Sequence, residues 1–195
     1  MARLRPLNPY GWSKHLFDRR VVRIIHQRGA RPPQWAGLKF FNVYGPNEYH
    51  KGDMASVVSK LYPQIAAGQP ARLFKSHHPD YPDGGQLRDF IWVGDCVEVM
   101  LWLKDNPGIN GLYNVGTGKA RSFKDLALAT FAGAGIEPVI DYRDMPENLR
   151  GKYQYFTQAD TANLYAAGYP HPFTELEDGV GGYVREFLAT ADPYR

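Results

Sequence analysis

The sequence has one cysteine, Cys96, in 195 residues, which excludes an internal disulfide framework and fits a reducing compartment. No apolar run approaches the roughly 18 residues of a membrane span. No apolar segment follows the opening Met-Ala-Arg-Leu-Arg-Pro, so a secretory leader is not expected and the chain reads as cytoplasmic, without a membrane partner. Gly and Pro together number 35, too few for a disordered chain, and there is no collagen period, internal repeat or low-complexity tract. His77 and His78 have no Cys or carboxylate cluster around them, so they read as exposed loop residues and no metal is expected.

Neither sign of charge dominates, at 23 Lys/Arg against 20 Asp/Glu, a net +3. The distribution is uneven. Residues 1–31 hold eight Lys/Arg and one acid, a surplus of +7, whereas the remainder holds 15 against 19, a deficit of −4. A basic leader could touch nucleic acid or a membrane. However, Arg19, Arg20 and Arg23 interleave with Val21, Val22, Ile24 and Ile25 as the solvated face of a helix, and the acidic remainder lacks a wider electropositive footprint. No nucleic-acid partner is expected.

The first element predicted is a helix over 9–28. Asn8 stands as N-cap, Pro9 at the first helical position and Gly29 as the stop. Tyr10, Lys14, Phe17, Val21 and Ile24 share one face, expected to point inward. Strands are predicted at Leu38–Tyr44, 71–74, Asp89–Val93, Leu112–Val115 and Val139–Tyr142. Helices are predicted from Met54 to Gly68, from Asp95 to Lys104 and from Phe123 to Ala134, the last opened by Ser122 with Asp125. A final helix to Leu188 opens on a Thr174/Glu177 capping box. Residues 76–86 read as loop. The alternation of helix and strand argues for an α/β fold with a mainly parallel sheet. No Gly-rich phosphate-binding fingerprint is visible: Gly116-Thr117-Gly118 sits in a strand–turn–helix context, but Arg121 stands where a third glycine belongs.

Tyr10 and Lys14 are four residues apart, about one helical turn, which sets phenol and ammonium side by side. A nearby cation favours the phenolate and makes the tyrosine an acid/base for an alcohol. The bland alternative is a half-buried tyrosine beside a snorkelling lysine. Followed by Phe40-Phe41-Asn42-Val43-Tyr44-Gly45-Pro46, Arg88-Asp89-Phe90-Ile91-Trp92-Val93-Gly94-Asp95 and Tyr113-Asn114-Val115-Gly116-Thr117-Gly118, the pair resembles the extended short-chain dehydrogenase/reductase family of nucleotide-sugar epimerases and dehydratases. The segments Asn42 to Ser56, Gly151 to Asp160 and Ala167-Gly168-Tyr169 resemble the branch that inverts C6 of an ADP-linked heptose for lipopolysaccharide core synthesis. The resemblance spans about residues 8–188.

That resemblance implies an isomerase whose NADP (or NAD) takes hydride from C6 and returns it to the other face. It implies Tyr10 and Lys51 as acid/base residues, one per face, and Lys14, Val43 and Lys51 at the cofactor. Asn42, Asp53, Lys60, Phe74, Lys75, Ser76, Arg88 and Tyr153 are implied at the substrate, Arg88 on the ADP phosphates. The alternative for Arg88 is an ion pair with Asp89 or Asp95. Asp53 stands where the branch has Ser, Asn47 stands for an Arg, and loop 76–86 is longer and richer in Pro and Gly.

The implied fold is the C-terminal part of a Rossmann-like doubly wound parallel sheet plus a smaller mixed α/β substrate-binding lobe. The lobes are expected at 1–46 with 88–118 and at 47–87 with 119–195. The first βαβ cofactor units are expected to be missing, so that the chain alone would be inactive unless a separate chain supplies them; a homo-oligomer is the other partner expected. The rival functions are another nucleotide-sugar epimerase or dehydratase, or a non-catalytic ADP-sugar-binding fragment.

Overall fold

The computed structural model describes residues 4–6, 8–28, 32–151 and 153–192. Helix α1 (Pro9–Arg28) starts where the Asn8 Oδ1 accepts the Gly11 N–H at 2.8 Å. Its expected stop, Gly29, lies outside the described residues. The expected inward stripe is half-buried at its C-terminal end, at Val21 and Ile24, and open at its N-terminal end. Tyr10 is 73% exposed and Phe17 67%, while the buried side chain of this helix is His15, off the stripe. The helix is tied down on another side, where Asp18 pairs with Lys39.

The predicted single strand 38–44 is two strands. β1 (Ala36–Phe40) pairs in parallel with β5 (Gly111–Val115), and β2 (Asn42–Tyr44) pairs in parallel with β4 (Leu87–Trp92). The break falls at Phe41, whose N–H still donates to the Val115 carbonyl (3.0 Å) while its own carbonyl takes the Val43 N–H (2.9 Å). The chain changes partner there, which composition alone does not reveal. The N-terminal half of β4 pairs antiparallel with β6 (Ala120–Ser122), and β3 (Ala71–Phe74) pairs in parallel with β7 (Ile140–Arg143). The fold is α/β with mainly parallel pairing.

Helix α2 (Val57–Ala66) is capped by Ser56 and buries Val58, Leu61 and Ile65. Helix α3 (Val93–Asp105) follows β4 directly, and α4 (Phe123–Ala134) opens on a reciprocal Ser122/Asp125 capping box. Short helices α5 (Glu147–Arg150) and α6 (Ala162–Ala166) precede α7 (Leu176–Tyr183), which continues as a π-helical turn over Val184–Leu188. The Thr174/Glu177 box does not form, because both residues are engaged elsewhere. Thr174 donates its N–H and hydroxyl to Asp95 at 2.9 and 2.7 Å, and Glu177 pairs with Arg121.

Three apolar clusters hold these layers. One joins Tyr44 and Phe90 to α4 and α7, a second joins α3 to β5 and α6, and a third lies between α2, β3 and α4. No helix among the described residues is long and apolar enough to cross a membrane.

Candidate functional site

Two cavities meet between β2, α2 and α4. The first, about 270 Å³, is walled by Asn42, Val43, Met54, Ser56 and Phe90. The second, about 200 Å³, is walled by Arg72, Phe74, Gln86 and Tyr153. Val57 and Phe123 line both, so together they form an elongated cleft. Arg88 lines neither cavity, but its guanidinium lies 5.6 Å from the ring centroid of the shared Phe123 and 5.3 Å from that of Tyr153.

Arg88 donates from Nη1 to the Leu87 carbonyl (2.8 Å) and forms no ion pair among the described residues. The ion pair with Asp89 or Asp95 is therefore absent. Asp95 is occupied by Thr174, and Asp89 by donors on the far side of the strand. Burial pulls the Arg88 pKa below the ordinary arginine value, with Tyr153 opposing. Burial raises the Tyr153 phenol in turn, with Arg88 opposing. A partly desolvated guanidinium between two rings, with donors to spare and no carboxylate on it, is chemically suited to take an anion.

The Gly116-Thr117-Gly118 turn is not such a group, although its N–H groups converge. Asp89, fully buried, fills it: Oδ1 accepts from the Thr117 N–H (2.7 Å) and hydroxyl (2.8 Å), and Oδ2 from the N–H groups of Gly118 and Ala159 (both 2.9 Å). Gly116 is required here, since a Cβ would stand 2.6 Å from that of Ala159.

A 3-10 segment, Tyr49–Met54, carries Lys51 and Asp53 to the surface. Its base is closed by Glu48, 3% exposed, whose carboxylate accepts from the Ser56 N–H (2.6 Å), the Ser56 hydroxyl and the Tyr183 hydroxyl (3.1 Å). Burial, then the Glu48 charge, raises the Tyr183 pKa, so its phenol stays a donor. Lys60 donates to the Asp53 carbonyl. Glu48 carries no local sequence signal, because its partner Tyr183 is 135 residues away.

Of the candidate residues, the cleft walls bring together Asn42, Val43, Phe74 and Tyr153, with Arg88 against them. Tyr10, Lys14, Lys51, Asp53, Lys60, Lys75 and Ser76 stand outside those walls. Lys14 Nζ lies over the Tyr10 ring face, 5.3 Å from its centroid. Lys75 pairs with Asp144 at 3.4 Å, and Ser76 is bonded within its own loop. Val57, Phe123 and Gln86 were not candidates; the first two fell only within predicted helices. A smaller cavity of about 140 Å³, beside Lys119 and Arg121, has its cations matched by Glu175 and Glu177.

The molecule is thus of the α/β class with mainly parallel pairing, with a cleft of mixed polar and apolar lining and the Arg88 guanidinium beside it. Within that class the chain belongs to the NAD dependent epimerase/dehydratase family, whose sequence profile matches residues 1–116. It is 61% identical over its full length to an ADP-L-glycero-D-manno-heptose-6-epimerase of Nitratidesulfovibrio vulgaris and 46% identical to one of Fusobacterium nucleatum, spanning 58% and 59% of their lengths. Its fold is similar to the crystal structure of the Helicobacter pylori ADP-L-glycero-D-manno-heptose-6-epimerase, with a TM-score of 0.75 and 29% identity, over 95% of this chain and 53% of that one.

Proposed function

We propose that the chain belongs to an ADP-heptose 6-epimerase, which inverts C6 of ADP-D-glycero-D-manno-heptose for lipopolysaccharide core precursors. The observation that carries this is Arg88, a half-buried cation without an ion pair among the described residues, held between Phe123, which lines both cavities, and Tyr153. On this reading the adenine lies between Phe74 and Tyr153, the diphosphate on Arg88, and the sugar toward Asn42 and Val43. The likeness in sequence to relatives of that name supports it. By the same reading 1–46 with 88–118 form the cofactor-side lobe, 47–87 with 119–195 form the substrate lobe, and the protein works in the cytoplasm.

The described residues fit a nicotinamide cofactor at one end only. By resemblance Lys14 would hold its ribose, Tyr10 would meet the reacting hydroxyl and Val43 would lie beside it; Tyr10 and Lys14 are open to solvent on α1. The convergent N–H groups of the Gly-Thr-Gly turn, however, are taken by Asp89 and cannot cradle cofactor phosphates. Reversible hydride storage is what NADP, or NAD, supplies to enzymes of this kind. The chain's own part is proton transfer at the C6 oxygen. Tyr10 Oη takes or returns the proton on one face, and Lys51 Nζ does so on the other.

Calorimetric titration with ADP-, UDP- and GDP-sugars tests this reading. We expect preference for the ADP-sugar and at least about a tenfold loss in Arg88→Ala, the cost of one charge-assisted contact. Equal affinity for all three, or an unaffected Arg88→Ala, refutes it. A second reading, ADP-sugar binding without turnover, is favoured by the 73% exposure of Tyr10. Binding without epimerisation selects that one.

A further inference from the structure

We propose that Tyr155 and loop 76–83 are positioning elements that hold Tyr153 against Arg88 and so set the affinity for a nucleoside diphosphate. This rests on the reading of the Arg88 site as the diphosphate subsite. Tyr153 sits in a segment without helix or ladder of its own, anchored to β4 where the Leu87 N–H donates to the Tyr155 carbonyl (2.8 Å) and the Thr157 N–H to the Leu87 carbonyl (3.2 Å). In extended chain, residues two apart share a face, so Tyr153 and Tyr155 stand side by side. Their ring centroids are 5.4 Å apart, edge to face.

Tyr155 is itself wedged. Its ring lies 5.2 Å from Tyr81 and 5.1 Å from His78, and its hydroxyl accepts the His77 N–H at 3.0 Å. The loop that supplies these groups is closed by its own bonds. The Ser76 N–H donates to Asp83 Oδ1 (2.7 Å), the Ser76 hydroxyl to the His78 carbonyl (3.0 Å), and the Tyr81 N–H to that same carbonyl (3.2 Å). Buried Gln86 fastens the base by donating to the carbonyls of Phe74 and Lys75. A continuous row of contacts thus runs from the loop through Tyr155 and Tyr153 to the guanidinium. A ring held in place before binding loses less freedom on binding, and this gain appears as affinity. Tyr155 and residues 76–83 line neither cavity, and the brace acts through Tyr153.

The test is the affinity of the full chain for ADP, by calorimetry, in Tyr155→Ala, Tyr155→Phe, Tyr153→Ala and the Tyr153→Ala/Tyr155→Ala double variant. Tyr155→Ala removes three ring contacts and is expected to weaken ADP about tenfold; Tyr155→Phe keeps the rings, loses the His77 bond, and should cost about twofold. Because Tyr155 acts through Tyr153, adding Tyr155→Ala to Tyr153→Ala should change affinity less than about twofold, a coupling that general loosening of the fold would not give. Tyr81→Ala, at the loop surface, should weaken ADP in the same direction and keeps the question decidable if Tyr155→Ala melts early. An unchanged affinity in Tyr155→Ala and Tyr81→Ala, or losses that simply multiply in the double variant, overturns the brace alone. A wild-type chain that does not bind ADP overturns the diphosphate reading, and the brace with it.

Discussion

Replacing Asp89 by Asn is expected to destabilise the chain by about 3–5 kcal/mol, the range for removing one partner from a buried charged network. The side chain is fully buried and accepts four hydrogen bonds, two on each oxygen. Asparagine has nearly the same shape, so no cavity opens. One oxygen survives and keeps two donors; the amide NH2 that replaces the other turns two more donors against the remaining pair. If the amide takes the Oδ2 position, the N–H groups of Gly118 and Ala159 are left facing it; in the opposite flip, the Thr117 N–H is orphaned while its hydroxyl can rotate. Two hydrogen bonds to a charged acceptor are worth about 1.5–3 kcal/mol each, which brackets the expected loss. Urea unfolding of both proteins, followed by far-UV circular dichroism at neutral pH, measures it. The slope should stay constant while the midpoint falls. A loss below about 1 kcal/mol would show that the turn does not depend on the carboxylate, since even one neutral hydrogen bond is worth that much.

Two further outcomes follow from single groups. Asp125 is drawn two ways. Burial would raise its pKa, but the hydrogen bonds from Ser122 and the charge of Arg121 hold it below the ordinary aspartate value. A depressed folded pKa contributes stability that is present above the unfolded value of 3.8 and is lost as pH falls through the folded one. Asp125→Asn should therefore cost about 1 kcal/mol or less at pH 7, the value of a partly exposed cap, with the difference shrinking toward pH 3; a difference independent of pH contradicts the assignment. Cys96 is 4% exposed and its thiol is pushed up to about 12, mainly by burial and then by the charge of Asp95. Ellman's reagent at pH 8 should leave it unmodified in the native chain and modify one thiol per chain in denaturant; rapid native reaction contradicts this.

Features fixed by near neighbours were legible in the sequence. Asn8-Pro9 set the start of α1, and Ser122 with Asp125 set the start of α4, because each cap closes within three residues. Features that depend on distant partners were not. Thr174 and Glu177 have the spacing of a capping box, but Asp95 and Arg121, 79 and 56 residues away, take their side chains. The inward face expected for α1 forms only at Val21 and Ile24, because an apolar stripe shows only what a helix could bury. The site divides in the same way. Asn42, Val43, Phe74, Arg88 and Tyr153 were candidates through motifs, whereas Val57, Phe123, Glu48 and Tyr155 owe their positions to packing between elements.

Arg88 and Asp89 show why sequence adjacency misleads about charge. Side by side in sequence, they admit an ion pair as the alternative reading; on β4 they do not form one, since successive side chains of a strand leave from opposite faces. Arg88 goes to the cleft, between Phe123 and Tyr153, while Asp89 goes to the interior and gathers the 116–118 turn and Ala159. The separation serves both. Paired with Arg88, the carboxylate would leave three backbone N–H groups, that of buried Ala159 among them, without an acceptor, and the guanidinium would already be neutralised. Kept apart by the pleat, one charge satisfies the backbone permanently, and the other stays available.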